Sequence, residues 1–170
     1  MDRDEEFAEY YAARGSHMRK TAYLLCGDWD LAQDLTQTAF VKLYQVWWRV
    51  SRKDVLDKYT RQVLLRTFLD ERRRPWRRER TSGDDVVLDR PVHDPVVTDR
   101  IALWAALEAV PRRQRATLVC RFWLDLSVEE TADALGCGTG TVKSQTARGL
   151  VALRVALSPV PEATHHVNGG

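Results

Sequence analysis

Five polar or basic residues near the C-terminal end have side chains that can bond to a nucleic acid. In one predicted helix the apolar residues face inward. The residues left facing outward are Thr141, Lys143, Ser144, Gln145 and Arg148. Lysine and arginine can bond guanine, glutamine can bond adenine, and hydroxyl groups can bond phosphate oxygens. Such a helix can read base edges in the DNA major groove, where a bidentate contact is worth about 1–3 kcal/mol.

The elements that must position this helix form a helix-turn-helix pattern over residues 126–157. Ser127 can cap a first helix, and Gly136 suits the left-handed residue at its end. Thr139 or Thr141 can cap the second helix, whose inward residues recur at helical spacing: Val142, Thr146, Leu150, Leu153 and Leu157. The alternative is an ordinary helical hairpin with a solvated polar face.

A second basic cluster lies in the middle of the chain, where arginines alternate with an aromatic residue in Arg72-Arg73-Arg74-Pro75-Trp76-Arg77-Arg78. Aromatic rings can stack on exposed bases while guanidinium groups hold phosphates. The alternative is a frayed, solvated helix end with Trp76 folded back on the domain.

Charge is segregated along the chain although the net charge is only +2. Residues 49–80 carry twelve basic and five acidic side chains, and residues 111–157 carry seven basic and four acidic side chains. Between them, residues 81–110 carry two basic and six acidic side chains. Two basic segments separated by an acidic one predict two surfaces that bind a polyanion. Two ordinary solvated faces are the alternative.

Length and composition exclude several classes of protein. At 170 residues the chain can form one medium domain or two small ones. No apolar run approaches the roughly 18 residues of a membrane span, and the acidic start is not a signal peptide, so we expect no membrane insertion and a cytoplasmic location. Cys26, Cys120 and Cys137 have no metal-ligand spacing. Without a phosphate-binding glycine loop or a nucleophile beside a base, we expect no enzyme, metal or cofactor.

Helical patterns dominate, and the expected fold is all-α, with two small helical domains joined by a flexible linker. The predicted domains are residues 1–80 and 95–157, the linker is residues 81–94, and residues 158–170 form a disordered tail. The second domain contains the helix-turn-helix.

Within the first domain, a short helix around Phe7 and Tyr10 is predicted to precede a second helix that stops near Gly27. Asp28 is expected to cap a third helix, and a fourth helix is predicted over about residues 54–74. The third helix has an apolar stripe of Leu31, Leu35, Ala39, Leu43 and Trp47, with Phe40 beside it. In the second domain, the residues expected to point inward are Leu118, Val119, Phe122 and Trp123.

The chain resembles a bacterial RNA polymerase sigma factor of the sigma-70 family, extracytoplasmic-function type, over about residues 5–157. Residues 30–40, with the sequence Asp-Leu-Ala-Gln-Asp-Leu-Thr-Gln-Thr-Ala-Phe, are similar to the family's core-polymerase-binding helix. Residues 59–74 look like the helix that engages the melted promoter. Residues 107–115 and 126–154 are similar to the family's C-terminal domain.

The resemblance implies binding to core RNA polymerase, through a coiled coil of the largest subunit and the flap of the β subunit. The face that docks on the coiled coil corresponds here to Asp30, Gln33, Asp34, Gln37 and Val41. An acid-and-amide face is a reasonable partner for a basic surface.

The resemblance further implies that the N-terminal domain helps to melt the minus-ten promoter element and binds the single strand. The matching candidates are Trp48, Arg49, Lys53, Tyr59, Arg61, Arg66, Arg72, Arg73, Arg74, Trp76 and Arg77. Many relatives carry asparagine where this chain has Arg66, so the base preference at this position is not carried over.

In the family, the C-terminal domain binds the double-stranded minus-35 element, for which the candidates are Thr141, Lys143, Ser144, Gln145 and Arg148. The family also implies an anti-sigma protein as a partner.

Two alternatives stay open: a free-standing helix-turn-helix regulator, which often dimerises on a two-fold site, and an all-helical interaction protein. Neither explains all the features, because the regulator leaves residues 30–40 without a role and the interaction protein leaves the segregated charge unexplained.

Overall fold

The computed structural model describes residues 2–50, 52–71 and 95–158, and for residues 95–100 it describes the backbone only. Throughout these ranges the regular structure is helical, without strands. The elements in chain order are α1 Arg3–Cys26, α2 Trp29–Val46, a 3₁₀ turn Trp47–Arg49, α3 Lys53–Asp70, α4 Pro95–Ala109, α5 Arg112–Leu118, a π-helical turn Val119–Trp123, α6 Val128–Leu135 and α7 Thr139–Leu157. The all-α prediction with a C-terminal helix-turn-helix is confirmed. The predicted linker and nearly all of the predicted tail lie outside the described residues.

Helix α1 is one continuous helix of 24 residues, so the prediction of two helices before Gly27 was wrong. Gly15 is a weak helix former, but Tyr10 and Met18 on either side of it are buried. Because α2 packs along α1, burial of this face outweighs the local preference. The helix ends where predicted, at Gly27 in the left-handed conformation (φ +74°).

The three N-terminal helices enclose an apolar core. The carboxylate of Asp28 accepts bonds from the backbone N–H groups of Asp30 and Leu31 at 2.8 and 3.0 Å, which confirms the predicted cap of α2. The predicted stripe of α2 is buried at Leu35, Ala39, Phe40 and Leu43 and half-buried at Leu31 and Trp47. This apolar side leaves the opposite side of α2 on the surface.

The helix-turn-helix has the predicted start and turn. Ser127 Oγ accepts a bond from the Glu130 N–H at 3.0 Å, and Gly136 is left-handed (φ +67°) at the end of α6. The predicted threonine cap of α7 was wrong, because Thr139 is already the first helical residue and Gly138 precedes it as the cap. Val142 is fully buried and anchors α7.

The π-helical turn moves two aromatic residues out of the core. Leu118 and Val119 are buried as predicted, whereas Phe122 is 63% and Trp123 44% exposed. The prediction for the latter two was wrong because it assumed 3.6 residues per turn. A π turn has wider spacing, so the side chains that follow it are displaced around the axis.

The N-terminal and C-terminal helices pack against each other, and the apolar cluster of the N-terminal helices continues into Ala116, Val119, Cys120, Leu126 and Ala134. Arg115 of α5, which is 8% exposed, donates to the Leu25 carbonyl oxygen at the end of α1 at 2.7 Å. It also donates to the carbonyl oxygens of Glu108 and Val110, both at 2.9 Å. The indole N–H of Trp123 donates to Thr21 Oγ1 of α1 at 3.0 Å.

A stack of three aromatic rings reinforces this junction. The Tyr23 ring lies between Trp29, with centroids 4.0 Å apart, and Trp104 of α4, with centroids 4.6 Å apart. The Trp104 ring also covers Gly27, where an added Cβ would lie 1.9 Å from Trp104 Cζ2. The junction therefore requires glycine at the end of α1 for its space as well as its backbone conformation.

We expect Gly27→Ala to lower the free energy of unfolding more than Gly136→Ala. Both replacements put alanine at a positive φ, which costs about 1–2 kcal/mol. Only Gly27→Ala also collides with a ring, because the nearest atom to an added Cβ at Gly136 is Arg66 Nη2 at 3.7 Å. We expect an extra loss of about 1–3 kcal/mol from overpacking, measured by urea unfolding of both variants. Equal losses would contradict the described packing of Trp104.

Candidate nucleic-acid interface

The outer face of α7 presents polar and basic side chains to solvent. Thr141, Lys143, Ser144 and Arg148 are exposed, as predicted for a recognition helix. Ser144 Oγ donates to the Thr141 carbonyl oxygen at 3.1 Å. Because Val142 is buried on the inner side, the orientation of this face is fixed by the domain core, and its groups can reach bases or phosphates.

Gln145 lies differently from the other four residues. It is half-buried, and its Oε1 atom is buried without a hydrogen-bond partner within the described part of the chain. It lines a cleft of about 220 Å³ together with Leu69 of α3 and Gln114 of α5. In this arrangement Gln145 faces the junction of the two domains, and its role as a base contact stays a prediction.

The turn between α2 and α3 carries an exposed aromatic ring beside two cations. Trp48 is 59% exposed, and the Arg49 guanidinium carbon lies 4.4 Å from the centroid of its ring. Lys53 is exposed at the start of α3. A ring and two cations on one turn can stack on an unpaired base and bind the adjacent phosphates.

The structure places the other described minus-ten candidates on different surfaces of α3. Tyr59 packs against the apolar core. Arg61 is half-buried, and its charge acts on the thiol of Cys120 in the C-terminal domain. Arg66 is exposed and faces the turn of the helix-turn-helix. The remaining candidates, Arg72, Arg73, Arg74, Trp76 and Arg77, lie outside the described residues.

Sequence reasoning missed two residues that share the side of α3 with Arg66. Lys58 and Gln62 line an open cleft of about 640 Å³ between α3 and the helix-turn-helix. Lys58 forms an ion pair with Asp133, and the Gln62 side-chain amide donates to the Asp133 carbonyl oxygen at 3.1 Å. The available signal was the spacing of four residues from Lys58 to Gln62 to Arg66, which places them along one side of a helix.

The predicted polymerase-binding face of α2 is a continuous surface. Asp30, Asp34, Gln37 and Val41 are exposed, and Gln33 is half-buried. These residues combine carboxylates and amides with an apolar residue that is 59% exposed. The surface is therefore suited to a basic partner that also carries apolar groups.

The cysteines are free thiols, and Cys120 is completely buried. Burial raises the pKa of Cys120 to about 12 and that of Cys26 to about 11. Both are therefore protonated at neutral pH and pack as small apolar groups. The described residues include no cluster of three or more His, Cys, Asp or Glu side chains that could hold a metal ion.

Among the described residues, no helix is both long enough and apolar enough to cross a membrane.

Two family models match the chain. Sigma-70 region 2 matches residues 10–78, and Sigma-70 region 4 matches residues 100–153. These matches contain the exposed face of α2 and the helix-turn-helix, respectively.

Curated relatives and a solved structure resemble most of the chain. The RNA polymerase sigma-E factor of Streptomyces avermitilis is 37% identical over 157 residues, covering 89% of this chain and 85% of the relative. The RNA polymerase sigma-E factor of Streptomyces coelicolor is 36% identical over 157 residues, covering 89% of this chain and 86% of the relative. The sigma factor RpoE of Bartonella quintana, solved with the anti-sigma factor NepR, aligns with a TM-score of 0.72 at 22% identity, covering 90% of this chain and 97% of RpoE.

Proposed function

Since this chain belongs to the sigma-70 family of RNA polymerase sigma factors, extracytoplasmic-function type, we propose that its two domains divide promoter recognition between them. A sigma factor directs core RNA polymerase to promoters, so the chain is an initiation factor rather than a catalytic enzyme. Residues 95–157 bind the minus-35 element, and residues 1–80 bind core polymerase and the minus-ten element. The observation that carries this division is the exposed polar and basic face of α7 within a helix-turn-helix.

Binding of the minus-35 duplex is assigned to Thr141, Lys143, Ser144 and Arg148. Their exposure on α7 leaves their side chains available in the manner of a recognition helix. Lys143 and Arg148 have the chemistry to bond guanine, and the two hydroxyl groups suit the phosphate backbone. For Gln145 to contact a base, its side chain must leave the cleft beside Leu69.

Binding of the minus-ten strand is assigned first to Trp48, Arg49 and Lys53. An unpaired base needs a stacking surface, and the exposed Trp48 ring offers one next to the Arg49 guanidinium. Arg61 and Arg66 lie farther along α3, near the C-terminal domain. Their part in DNA binding therefore depends on how far the two domains separate.

Core polymerase binds the face of α2 that carries Asp30, Gln33, Asp34, Gln37 and Val41. Support comes from the exposure of four of these residues and from the match of region 2 to this segment. Acting with the polymerase on DNA implies a cytoplasmic location. An anti-sigma protein is the proposed regulator, since the similar RpoE was solved with one.

We expect purified bacterial core polymerase and this protein together to give discrete run-off transcripts from fragmented DNA of the protein's own host. Core alone and the protein alone are the controls, and the transcript starts identify the promoters. DNA binding by the protein alone, without such transcripts, would support a free-standing regulator instead.

We expect Arg148→Ala to weaken binding of the holoenzyme to a minus-35 duplex, and Arg154→Ala to leave it nearly unchanged. Both arginines are exposed on α7, but Arg154 lies in the last turn of the helix, away from the turn of the motif. Loss of a bidentate base contact costs about 1–3 kcal/mol, or roughly 5- to 150-fold in Kd. Fluorescence anisotropy at fixed salt measures the Kd of both variants. Equal losses of affinity would argue against DNA binding by this face of α7.

We expect Asp34→Arg to weaken binding to core polymerase without unfolding the chain. The change puts a like charge opposite the basic surface expected on the partner. Glu9→Arg is the matched control, because Glu9 is an exposed acid of α1 outside the predicted face. Core affinity is measured by biolayer interferometry and folding by circular dichroism. Unchanged affinity in Asp34→Arg would remove this face from the proposal.

A further inference from the structure

Gly140 lies in the first turn of α7, on the side of the helix that faces solvent. Val142 and Gly149 are buried on the inner side of α7, whereas Gly140 is exposed. At about 100° per residue, the spacing from Gly140 to these two residues places it on the opposite side of the helix. Ser144 follows Gly140 by one turn, so the two residues share the outer face.

The packing of the chain does not require glycine at position 140. The glycines with a positive φ among the described residues are Gly27 and Gly136. At Gly149 an added Cβ would lie 3.0 Å from Leu118 Cγ, whereas at Gly140 it would meet no described atom within 4 Å. Glycine is also a poor helix former. Alanine at position 140 would therefore fit the free chain and favour the helix.

The polar side chains near Gly140 differ in reach. Thr141 and Ser144 carry their hydroxyl groups on Cβ, so these groups can bond to DNA only if the α7 backbone itself comes close. Lys143 and Arg148 have long side chains that tolerate a larger distance. A major groove about 12 Å wide accepts a helix about 10–12 Å across with little clearance. The two short side chains therefore need an outer face without bulk in the first turn.

We propose that Gly140 is the point of closest approach between α7 and the minus-35 duplex, and that its missing side chain makes the contacts of Thr141 and Ser144 possible. Glycine is the residue that lets a backbone approach a ligand closely. A Cβ at position 140 would hold the first turn of α7 away from the base edges, while Lys143 and Arg148 still reach phosphates. Gly140 is thus a specificity-determining residue, an inference that rests on the proposed function because it requires α7 to bind DNA.

The test compares Gly140→Ala with Gly15→Ala in the full-length chain. Gly15 is a helical glycine of α1, where an added Cβ would lie 3.6 Å from the Tyr11 ring, an ordinary contact. We expect both replacements to raise the midpoint of thermal unfolding by about 1–4 °C, because alanine favours the helix. A lower midpoint for Gly140→Ala would contradict the premise that the fold does not need this glycine.

DNA affinity is measured by fluorescence anisotropy at fixed salt, with and without core polymerase. One probe is a duplex that the wild-type chain selects from fragmented DNA of its own host, and the other is a mixed-sequence duplex of the same length. We expect Gly140→Ala to bind the selected duplex about tenfold more weakly than Gly15→Ala, as for the loss of one good base contact. The affinities for the mixed-sequence duplex should differ by less than about twofold, because non-specific binding depends on phosphate charge.

Double variants separate close approach from a general disturbance of α7. Ser144→Ala should weaken binding of the selected duplex in the wild-type background. It should cost little further affinity in Gly140→Ala, because the Ser144 hydroxyl group then no longer reaches the DNA. Arg148→Ala should cost nearly the same affinity in both backgrounds.

Equal affinities of Gly140→Ala and Gly15→Ala for the selected duplex would overturn the proposal, as would fully additive losses for Gly140→Ala and Ser144→Ala. Run-off transcription with the wild-type chain and core polymerase is measured in parallel. If the wild type binds a selected duplex by itself but supports no transcription, the proposed function fails while the comparison at Gly140 remains valid. Failure of the wild type to select any duplex, with or without core polymerase, would overturn both.

Discussion

The buried guanidinium of Arg115 is the interaction on which the arrangement of the helices depends. A buried charge is tolerated only when its donors are used, and here they bond to the carbonyl oxygens of Leu25, Glu108 and Val110. The Leu25 carbonyl belongs to the last turn of α1, where helices leave such groups without internal partners. One side chain thus bonds to carbonyl groups at the end of α1, at the end of α4 and at Val110 between α4 and α5. It thereby fixes the C-terminal domain against α1.

This anchor determines which surfaces are accessible and which are covered. With α5 held on α1, the Trp104 ring covers Gly27 and α6 lies along α3. The face of α2 around Asp34 and the outer face of α7 remain exposed. The side of α3 that carries Arg66 lies across an open cleft from the turn of the helix-turn-helix, and Arg66 itself stays exposed.

Local features of the fold could be predicted from the sequence, whereas contacts between distant helices could not. The caps at Asp28 and Ser127 and the left-handed Gly136 follow from side-chain and backbone preferences within a few residues. The exposure of Phe122 depends on a π turn, for which the residue pattern has no reliable signal. Likewise, Gln145 satisfies the pattern of a recognition helix, but its burial depends on Leu69, which is far away in sequence.

The exposed face of α2 allows a stepwise order of binding. Asp30 and Asp34 are exposed while α6 packs against α3, so the proposed docking of core polymerase on α2 requires no separation of these two helices. A partner that docks on α2 changes the packing of α3 and α6 only if its affinity differs between the packed and the separated arrangement. Under the proposed function, promoter DNA supplies such a difference, because its two separated elements are bound by two domains that are packed together here.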